Sequence, residues 1–539
     1  MGLERLAAVL QGVTSNYSTD LFNPLIDGIS SLMEKEYPGN IEEDVSIRII
    51  ADHIRAVTFL ISDGIMPAND GRGYVLRRLI RRAYRQGNLL GMDEPFIYKL
   101  VGFVVDVMKD AYPELLDSSE YVAKLCLAEE QRFSDTLSSG LRTFRQFVKE
   151  TQSEKRSQLS GSQSFKLYDT YGFPLDLSVE LAAEINMTVD EAGFAKELEK
   201  QRRKARDAWK GNGQEKELKI YETFSGRQSI FVGYEMEKVS DTEVIGLIKA
   251  GKVVPELREG EEGEVLLIRT PFYAESGGQT GDKGTLTSSH FSAVVEDAYS
   301  PIPELISHRI RMISGRITSG DLIEAEINVE HRRNISRNHT ATHLLHAALR
   351  SVLGDHVKQS GSLVAHDRLR FDFTHYAALS TEEIERIETL INDRIRDNIS
   401  LNTAVVSLEE GVQMGAMSIF EEKYGETVRM VTIPGFSREL CGGIHVHSTG
   451  DIGLFKIVTE SSIASGMRRI EAKTGAAALK QVQIDDQRLT EIQYALSATR
   501  EDVIDHLNKL KEMLKEAEKE NKSLRQEPVS YTHLTLPTN

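Results

Sequence analysis

The stretch NHTATHLLHAAL, residues 338–349, decides the fold of the central part of the chain. His339 and His343 lie four residues apart in a run with helical periodicity, which places both imidazoles on one face, about 5–6 Å apart at Cβ. A metalloprotease helix with this spacing carries a glutamate after the first histidine, and here Thr340 stands in that position. The pattern therefore indicates a metal-binding helix and disfavours peptide hydrolysis.

A second pair of candidate ligands follows in ELCGGIHVHSTGDIG, residues 439–453. Cys441 and His445 are again four residues apart, in a glycine-rich segment whose backbone can turn both side chains toward one point. Together with the first pair they give one thiolate and three imidazoles, a ligand set for one zinc ion. Such a closed set is usually structural, whereas catalytic zinc keeps a position for water, so both roles stay open. We interpret the nearby His346 and His447 as neighbours of the site or surface residues.

Length and composition exclude several classes of protein. The 539 residues exceed what one hydrophobic core usually serves, so we expect roughly three to five structural units. No apolar run approaches the roughly 20 residues that cross a bilayer, and the N-terminus lacks a secretory pattern. With only Cys126 and Cys441 present, the chain suits a reducing compartment, and we expect a cytoplasmic location. The net charge of −17 favours local basic patches for RNA, with no DNA or membrane partner.

The spacing of apolar, β-branched and glycine residues changes along the sequence, which predicts a multidomain α+β protein. In residues 41–217, apolar residues recur at three- and four-residue spacings, which predicts a helical domain. In residues 218–330, short β-branched runs such as VLLIRT and SAVVED alternate with Gly and Asp clusters, which predicts a small β-barrel. In residues 331–481, helical stretches alternate with short strands, which predicts an α+β domain around the metal ligands.

Residues 482–527 are predicted to form a coiled-coil helix. Its seam of about three heptads consists of residues alternately four and three apart, namely Val503, Leu507, Leu510, Leu514, Ala517, Asn521 and Leu524. One interpretation is a homodimer formed through this seam, and the other is a solvent-exposed amphipathic helix. Residues 528–539, PVSYTHLTLPTN, break the pattern, and we interpret them as a non-native tail.

Several motifs together resemble the alanyl-tRNA synthetases. HTATH followed by CGGIH and STGDIG resembles the editing domain of that family. TPFYAESGGQTGDKG (270–284) resembles the glycine-rich signature of the preceding barrel, and QSGSLVAHDRLRFDF (359–373) resembles the strand pair that lines the editing pocket. Residues 51–87 and FKLYDTYGFPLDLS (165–178) resemble the helical tRNA-recognition region. The resemblance follows the family's order to about Arg525.

The resemblance implies hydrolysis of seryl- or glycyl-tRNA(Ala). The implied zinc ligands are His339, His343, Cys441 and His445. Thr342 and Gln359 would lie near the serine hydroxyl, and Gly442 and Gly443 would also belong to the editing pocket. Ile444 departs from the family, which usually has threonine there, and this removes a hydroxyl from beside the metal ligands.

The helical region contains an arginine-rich segment, residues 72–85, with apolar residues interleaved. Such a stripe can contact RNA phosphates, although a solvated charged face is the simpler alternative. The resemblance implies that Asn69 and Asp176 identify the acceptor-stem wobble pair of tRNA(Ala), because short side chains reach base edges in the shallow minor groove of RNA. The arginines assigned to tRNA binding are Arg72, Arg77, Arg78 and Arg81.

The first residues, Gly2 to Arg5, resemble the end of the third signature motif of class II synthetases, whose arginine binds ATP phosphate. We interpret residues 1–40 as the remnant of that catalytic domain and expect the chain alone not to form alanyl-adenylate. ATP and Mg²⁺ would then serve only the full-length parent enzyme. Two alternatives stay open, a free-standing alanyl-tRNA editing hydrolase and a non-catalytic, zinc-stabilised RNA-binding and dimerising module.

Overall fold

The computed structural model describes residues 2–69, 71–209, 220–417, 427–464 and 466–526. Helices fill the first part, a closed β-barrel follows, and a mixed region of helices and strands leads to two final helices. The predicted mixed α+β architecture with a barrel is therefore confirmed. The domain boundaries proposed from the sequence stay predictions, and the segment 528–539 lies outside the described residues.

The helical region packs around one continuous core of aliphatic and aromatic side chains. Its elements are α1 (Leu3–Leu10), α2 (Asn23–Met33), α3 (Ile41–Ser62), α4 (Gly71–Leu89), α5 (Ile97–Met108), α6 (Glu114–Ser153), β1 (Gln158–Leu159), α7 (Gly161–Tyr171), α8 (Leu175–Glu184), β2 (Thr188–Val189) and α9 (Glu191–Trp209). In α3, Ile47, Ile50 and Ile54 are buried, as their three- and four-residue spacing predicts. Cys126 of α6 is buried in the same core.

The barrel is formed by antiparallel strands that alternate buried and exposed residues. In chain order, the strands of this region are β3 (Ile230–Phe231), β4 (Lys238–Lys249), β5 (Lys252–Val254), β6 (Glu256–Arg258), β7 (Glu262–Leu267), β8 (Arg269–Thr270), β9 (Gly284–Thr287), β10 (Phe291–Ile302), β11 (Leu305–Thr318) and β12 (Leu322–Ile327). β3 and β8 are not part of the barrel sheet, because they pair in parallel with each other. The ring runs β10–β9–β12–β4–β7–β11, and pairing of β11 with β10 closes it. The glycine-rich loop between β8 and β9 projects from this ring toward the next helix.

The mixed region places two long helices against a four-stranded antiparallel sheet. Its elements are α10 (Val329–Leu353), β13 (Gln359–Val364), β14 (Leu369–Thr374), α11 (Thr381–Arg396), β15 (Asn402–Ser407), α12 (Leu408–Gln413), β16 (Thr427–Ile433), β17 (Ser437–Leu440), β18 (Phe455–Ala464) and β19 (Met467–Thr474). The sheet order is β13–β14–β19–β18, and β15, β16 and β17 form a second antiparallel sheet. The second sheet ends beside α10, where the candidate ligands lie.

Two helices end the described part of the chain, α13 (Gly475–Leu496) and α14 (Val503–Gln526). The predicted seam lies on α14, where Leu507, Leu510 and Leu514 are exposed. Pairing of this helix with a second copy stays a prediction. Among the described residues, no helix combines the length and the apolar character needed to span a membrane.

Candidate metal centre

The four predicted ligands converge, although they come from two distant parts of the chain. α10 begins after Asn328, whose side chain caps the helix, and it buries His339 and His343. Cys441 directly follows β17, and His445 lies in the loop beyond it. The candidate ligand atoms of these four side chains all lie within 4.8 Å of one another.

The donor set fits zinc in both chemistry and spacing. Nε2 of His339 lies 3.3 Å and Nε2 of His445 lies 3.4 Å from Sγ of Cys441. Tetrahedral zinc with its usual Zn–N and Zn–S bond lengths separates such atoms by about 3.6 Å. Nε2 of His343 is buried without a hydrogen bond to any described residue, as expected of an atom that binds a metal.

Each imidazole of the centre also has a hydrogen-bond partner at Nδ1, the ring nitrogen that is not directed at the other candidate ligands. The partners are Oε1 of Gln279 at 2.7 Å from His339, Oγ1 of Thr340 at 3.2 Å from His445, and the carboxylate of Glu439 beside His343. A partner at Nδ1 orients the ring and fixes the tautomer whose Nε2 lone pair is free for a metal. The candidate ligands are therefore oriented by protein groups that are not candidate ligands themselves.

The charges in the cluster suit metal binding. Burial by itself raises the pKa of the Cys441 thiol, but His339 and His445 hold that pKa well below its usual range. Burial, together with the neighbouring His339 ring, lowers the pKa of His445 to about 3, so the His445 ring is neutral at pH 7. Burial also opposes a charge on His343, but the Glu439 carboxylate raises the pKa of His343 to about 10. Binding of a metal at Nε2 of His343 would therefore release a proton from this ring.

The loop after β17 is held close to α10. A methyl group at Gly443 would lie 2.0 Å from Cε1 of His339, so a side chain there would displace the ring. Nη1 of Arg429 donates to the Gly443 carbonyl oxygen at 2.7 Å, and the Tyr234 hydroxyl donates to the Gly442 carbonyl oxygen. The Arg429 guanidinium also lies 4.6 Å from the centroid of the Tyr234 ring. These contacts fix the loop from the side facing the barrel.

Comparison with known proteins identifies the family of this chain. Residues 1–331 match the family model described as tRNA synthetases class II (A), and residues 428–471 match the threonyl and alanyl tRNA synthetase second additional domain. The alanine–tRNA ligase of Thermoanaerobacter sp. (strain X514) is 45% identical over 525 residues, covering 97% of this chain and 60% of that protein. The chain belongs to the alanyl-tRNA synthetase family.

A second member of the alanyl-tRNA synthetase family gives the same result. The alanine–tRNA ligase of Thermotoga maritima is 46% identical over 523 residues, covering 96% of this chain and 59% of that protein. The chain thus spans about 60% of the length of the relatives it matches. The match to residues 428–471 includes Cys441 and His445.

The other residues predicted for the editing pocket of this family lie around the centre or on its supporting sheet. Thr342 is buried on α10, and its hydroxyl donates to the Asn338 carbonyl oxygen at 2.8 Å. Gln359 is half-buried at the start of β13. Gly442 and Gly443 lie in the loop held by Tyr234 and Arg429. Contact of these residues with an aminoacyl ester stays a prediction.

Sequence reasoning missed two residues that build the site. Glu439 approaches His343 through one carboxylate oxygen, and its other oxygen lies 3.3 Å from Nδ1 of His346. Gln279 reaches His339 from the glycine-rich loop of the barrel. Glu439 lies in the short strand SREL, where polar residues are common, so the sequence held no signal for its role or for that of Gln279. His447 is exposed, as expected of a surface residue.

The residues predicted to read tRNA lie together near the start of α4 and the start of α8. Nη1 of Arg77 donates to Oδ1 of Asn69. Nε of Arg78 donates to Oδ2 of Asp176 at 2.6 Å. Arg72 is exposed on the first turn of α4. These contacts orient the two side chains assigned to the acceptor stem, and their binding to tRNA stays a prediction.

The cationic outer face predicted for α4 is corrected for three of its arginines, because Arg77, Arg81 and Arg85 are buried. Arg77 and Arg81 are buried, and their guanidinium nitrogens lie 3.2 and 2.6 Å from Oε1 of Glu129 on α6. A buried charge is costly unless it is paired, and Glu129 supplies that pairing. Arg72 and Arg78 are the exposed members of the predicted set.

Gly2 and Arg5 lie at the exposed start of α1. Between them, Glu4 contacts the Arg55 guanidinium of α3, which fastens α1 to the helical region. Members of the alanyl-tRNA synthetase family use ATP and Mg²⁺. A role of Gly2 and Arg5 in binding ATP stays a prediction.

Proposed function

We propose that this chain binds tRNA(Ala) and hydrolyses the ester bond of seryl- or glycyl-tRNA(Ala) at a zinc centre. The proposal is carried by one observation, the convergence of His339, His343, Cys441 and His445 with every imidazole held through Nδ1. Three oriented imidazoles and one thiolate are a zinc ligand set, and the partners behind them are typical of metal sites.

A ligase specific for alanine needs a hydrolytic site because its amino-acid pocket cannot exclude glycine by size. A missing methyl group or an added hydroxyl changes discrimination by only about 1–3 kcal/mol. A second site that hydrolyses the wrong ester supplies the remaining discrimination. When bound, zinc would supply a Lewis acid that orients a hydroxyl group or a water molecule.

The side chains around the centre would distinguish serine from alanine. The Thr342 hydroxyl donates its proton to the Asn338 carbonyl, so its oxygen is left to accept a hydrogen bond from a serine hydroxyl. Gln359 would bind the same hydroxyl from β13. Because alanine lacks this group, a pocket that binds it would favour seryl-tRNA over correctly charged alanyl-tRNA, whereas glycine, which also lacks it, would be admitted by its smaller size.

The tRNA part of the proposal rests on Asn69 and Asp176. Asn69 is exposed beside α4, and Arg78 holds Asp176 at the surface through an ion pair. In A-form RNA the minor groove is wide and shallow, so both side chains are long enough to reach base edges. Replacing the acceptor-stem wobble pair of tRNA(Ala) should therefore slow hydrolysis by the wild type more than hydrolysis by Asp176→Ala.

Deacylation of seryl-tRNA(Ala), measured together with zinc content, tests the editing proposal. We expect the wild type to release serine. His343→Ala and Cys441→Ala should lose zinc and release serine about 100-fold more slowly. His447→Ala is the matched control, because it removes an exposed histidine from the same loop and should keep both properties. Serine release that persists unchanged in Cys441→Ala would overturn the proposal.

A structural zinc site in an RNA-binding module is the second candidate. One observation favours it, namely that four protein ligands normally complete the coordination of zinc. This candidate predicts tRNA affinity and one zinc per chain without serine release. The match of residues 1–331 to a synthetase model supports a synthetase over a free-standing editing hydrolase.

A further inference from the structure

One side chain of the barrel, that of Gln279, contacts the metal centre. Gln279 lies on the glycine-rich loop between β8 and β9, and it is completely buried. Its Oε1 atom lies 2.7 Å from Nδ1 of His339 and 2.9 Å from the backbone nitrogen of Ile444. A single amide oxygen thus contacts both ligand-bearing segments, α10 and the loop after β17.

The chemistry of these contacts fixes the direction of each hydrogen bond. The backbone N–H of Ile444 can only donate, so the atom of Gln279 that it contacts is the carbonyl oxygen. Nδ1 of His339 must then carry the proton and donate it to the same oxygen. The other ring nitrogen, Nε2, keeps its lone pair and lies 3.3 Å from Sγ of Cys441.

We propose that Gln279 is a positioning residue, through which the barrel holds His339 in the orientation and tautomer that bind the metal. The inference rests on the zinc site proposed above and deepens it. It means that the α+β region does not form a complete metal centre by itself. The barrel belongs to the site, although none of its described residues is a candidate ligand.

The loop that carries Gln279 is itself fixed against the α+β region. The Thr280 N–H donates to the Val364 carbonyl oxygen at 3.0 Å, and the Val364 N–H donates to the Gly278 carbonyl oxygen at 2.7 Å. Gly278 has a φ of +86°, and a methyl group there would lie 2.6 Å from the Ser362 carbonyl oxygen, so glycine is required for this approach. Hydrogen bonds to β13 on both sides of Gln279 thus set its position.

A second contact ties the same loop to the same helix. Arg332 lies seven residues before His339 on α10, and its guanidinium forms a buried ion pair with Asp282, three residues after Gln279. Residues seven apart share a helix face, so the loop holds α10 at two points along one face. This arrangement prevents the helix from rotating about its axis and keeps His339 directed at the centre.

The test compares Gln279→Met with Gln279→Glu in the full chain. Methionine fills a similar volume without accepting a strong hydrogen bond, so zinc affinity should fall about 10- to 100-fold, as measured by competition with a chelator. Glutamate can accept from both N–H groups, and its zinc affinity should match or exceed that of the wild type. The absorption spectrum of bound Co²⁺ should change in the methionine variant and be retained in the glutamate variant, which loss of packing alone does not predict.

Thr280→Val is the matched control, because it removes the hydroxyl that contacts the Val364 carbonyl at 3.2 Å without touching His339. Its zinc affinity should equal that of the wild type. Wild-type affinity in Gln279→Met, or weak binding in Gln279→Glu, would overturn the inference while leaving the zinc site intact. Absence of zinc binding by the wild type would instead overturn the function proposed above.

Discussion

At the scale of single residues, Gly443 sets how closely the loop after β17 approaches α10. A methyl group at this position would lie 2.0 Å from Cε1 of His339 and 2.8 Å from Oε1 of Gln279. In Gly443→Ala the His339 ring must therefore move away from the other ligands. Because a displacement of about 1 Å costs about 100-fold in rate, we expect a loss of that size in seryl-tRNA(Ala) hydrolysis, together with weaker zinc binding. Deacylation and chelator competition measure the two effects.

The neighbouring glycine provides the control for that substitution. Among the described residues, a methyl group at Gly442 would contact the Tyr234 hydroxyl alone, at 3.9 Å, which is an ordinary van der Waals distance. Gly442→Ala should therefore bind zinc as tightly as the wild type. Equal zinc affinity in both alanine variants would show that the close approach of Gly443 to His339 does not matter.

The ligands were predictable from the sequence, whereas their supporting residues were not. A spacing of four on a helix fixes His339 and His343 on one face, and this local rule needs no knowledge of the rest of the fold. Gln279 is 60 residues from His339 in sequence, so only the docking of the barrel brings them together. The same reason explains the buried arginines of α4, because Glu129, which pairs with Arg81, lies 48 residues further along the chain.

At the scale of elements, the barrel contains a buried histidine that should make its stability depend on pH. His308 on β11 is fully buried, with Nδ1 2.8 Å from the Val265 carbonyl oxygen and Nε2 2.7 Å from the Thr270 hydroxyl. Burial lowers the pKa of His308 from 6.5 to about 4. Between these pH values the unfolded chain binds more protons than the folded chain, so stability is complete above pH 6.5 and falls as the pH drops toward 4.

The difference in pKa corresponds to about 3 kcal/mol in the free energy of unfolding. His308→Gln keeps a donor and an acceptor but cannot titrate, so it should remove this part of the pH dependence. Chemical unfolding at a series of pH values between 7 and 4 measures it. His290→Gln, at an exposed position beside β10, should retain the wild-type dependence. The same slope in wild type and His308→Gln would contradict the prediction.

Local sequence patterns predicted individual strands more reliably than they predicted which strands pair with one another. The run SAVVED lies wholly within β10, and VLLIRT is divided between the end of β7 and β8, because β-branched residues fit the two faces of a sheet. Closure of the ring requires β10 to pair with both β9 and β11, and this depends on register between strands. A single sequence with alternating residues predicts strands, and it does not determine which strands become neighbours.

At the scale of the whole molecule, the helical and α+β regions are in direct contact. The Tyr121 ring of α6 stacks on His356 with centroids 4.3 Å apart. Nη2 of Arg132, also on α6, donates to the Tyr376 carbonyl oxygen at 2.9 Å. The order of the regions was predictable, because each region has its own spacing of apolar, glycine and β-branched residues. The contact between Arg132 and Tyr376 was not predictable, because the two residues are 244 positions apart and no sequence pattern links them. The contacts of Tyr121 and Arg132 join the region that contains the proposed tRNA-binding helices to the region that contains the proposed editing site.

Oligomeric state is the remaining property of the whole molecule that the sequence pattern predicts. On α14, Leu507, Leu510 and Leu514 are 46 to 59% exposed, and their spacing is that of a coiled-coil seam. Because removing leucine side chains from water lowers the free energy, we expect a second copy of α14 to cover them. Sedimentation at increasing protein concentration should show a dimer for the wild type and a monomer for Leu510→Glu. Asn508→Glu adds the same charge at a position directed away from the seam and should stay dimeric. A monomeric wild type would identify α14 as a solvent-exposed amphipathic helix instead.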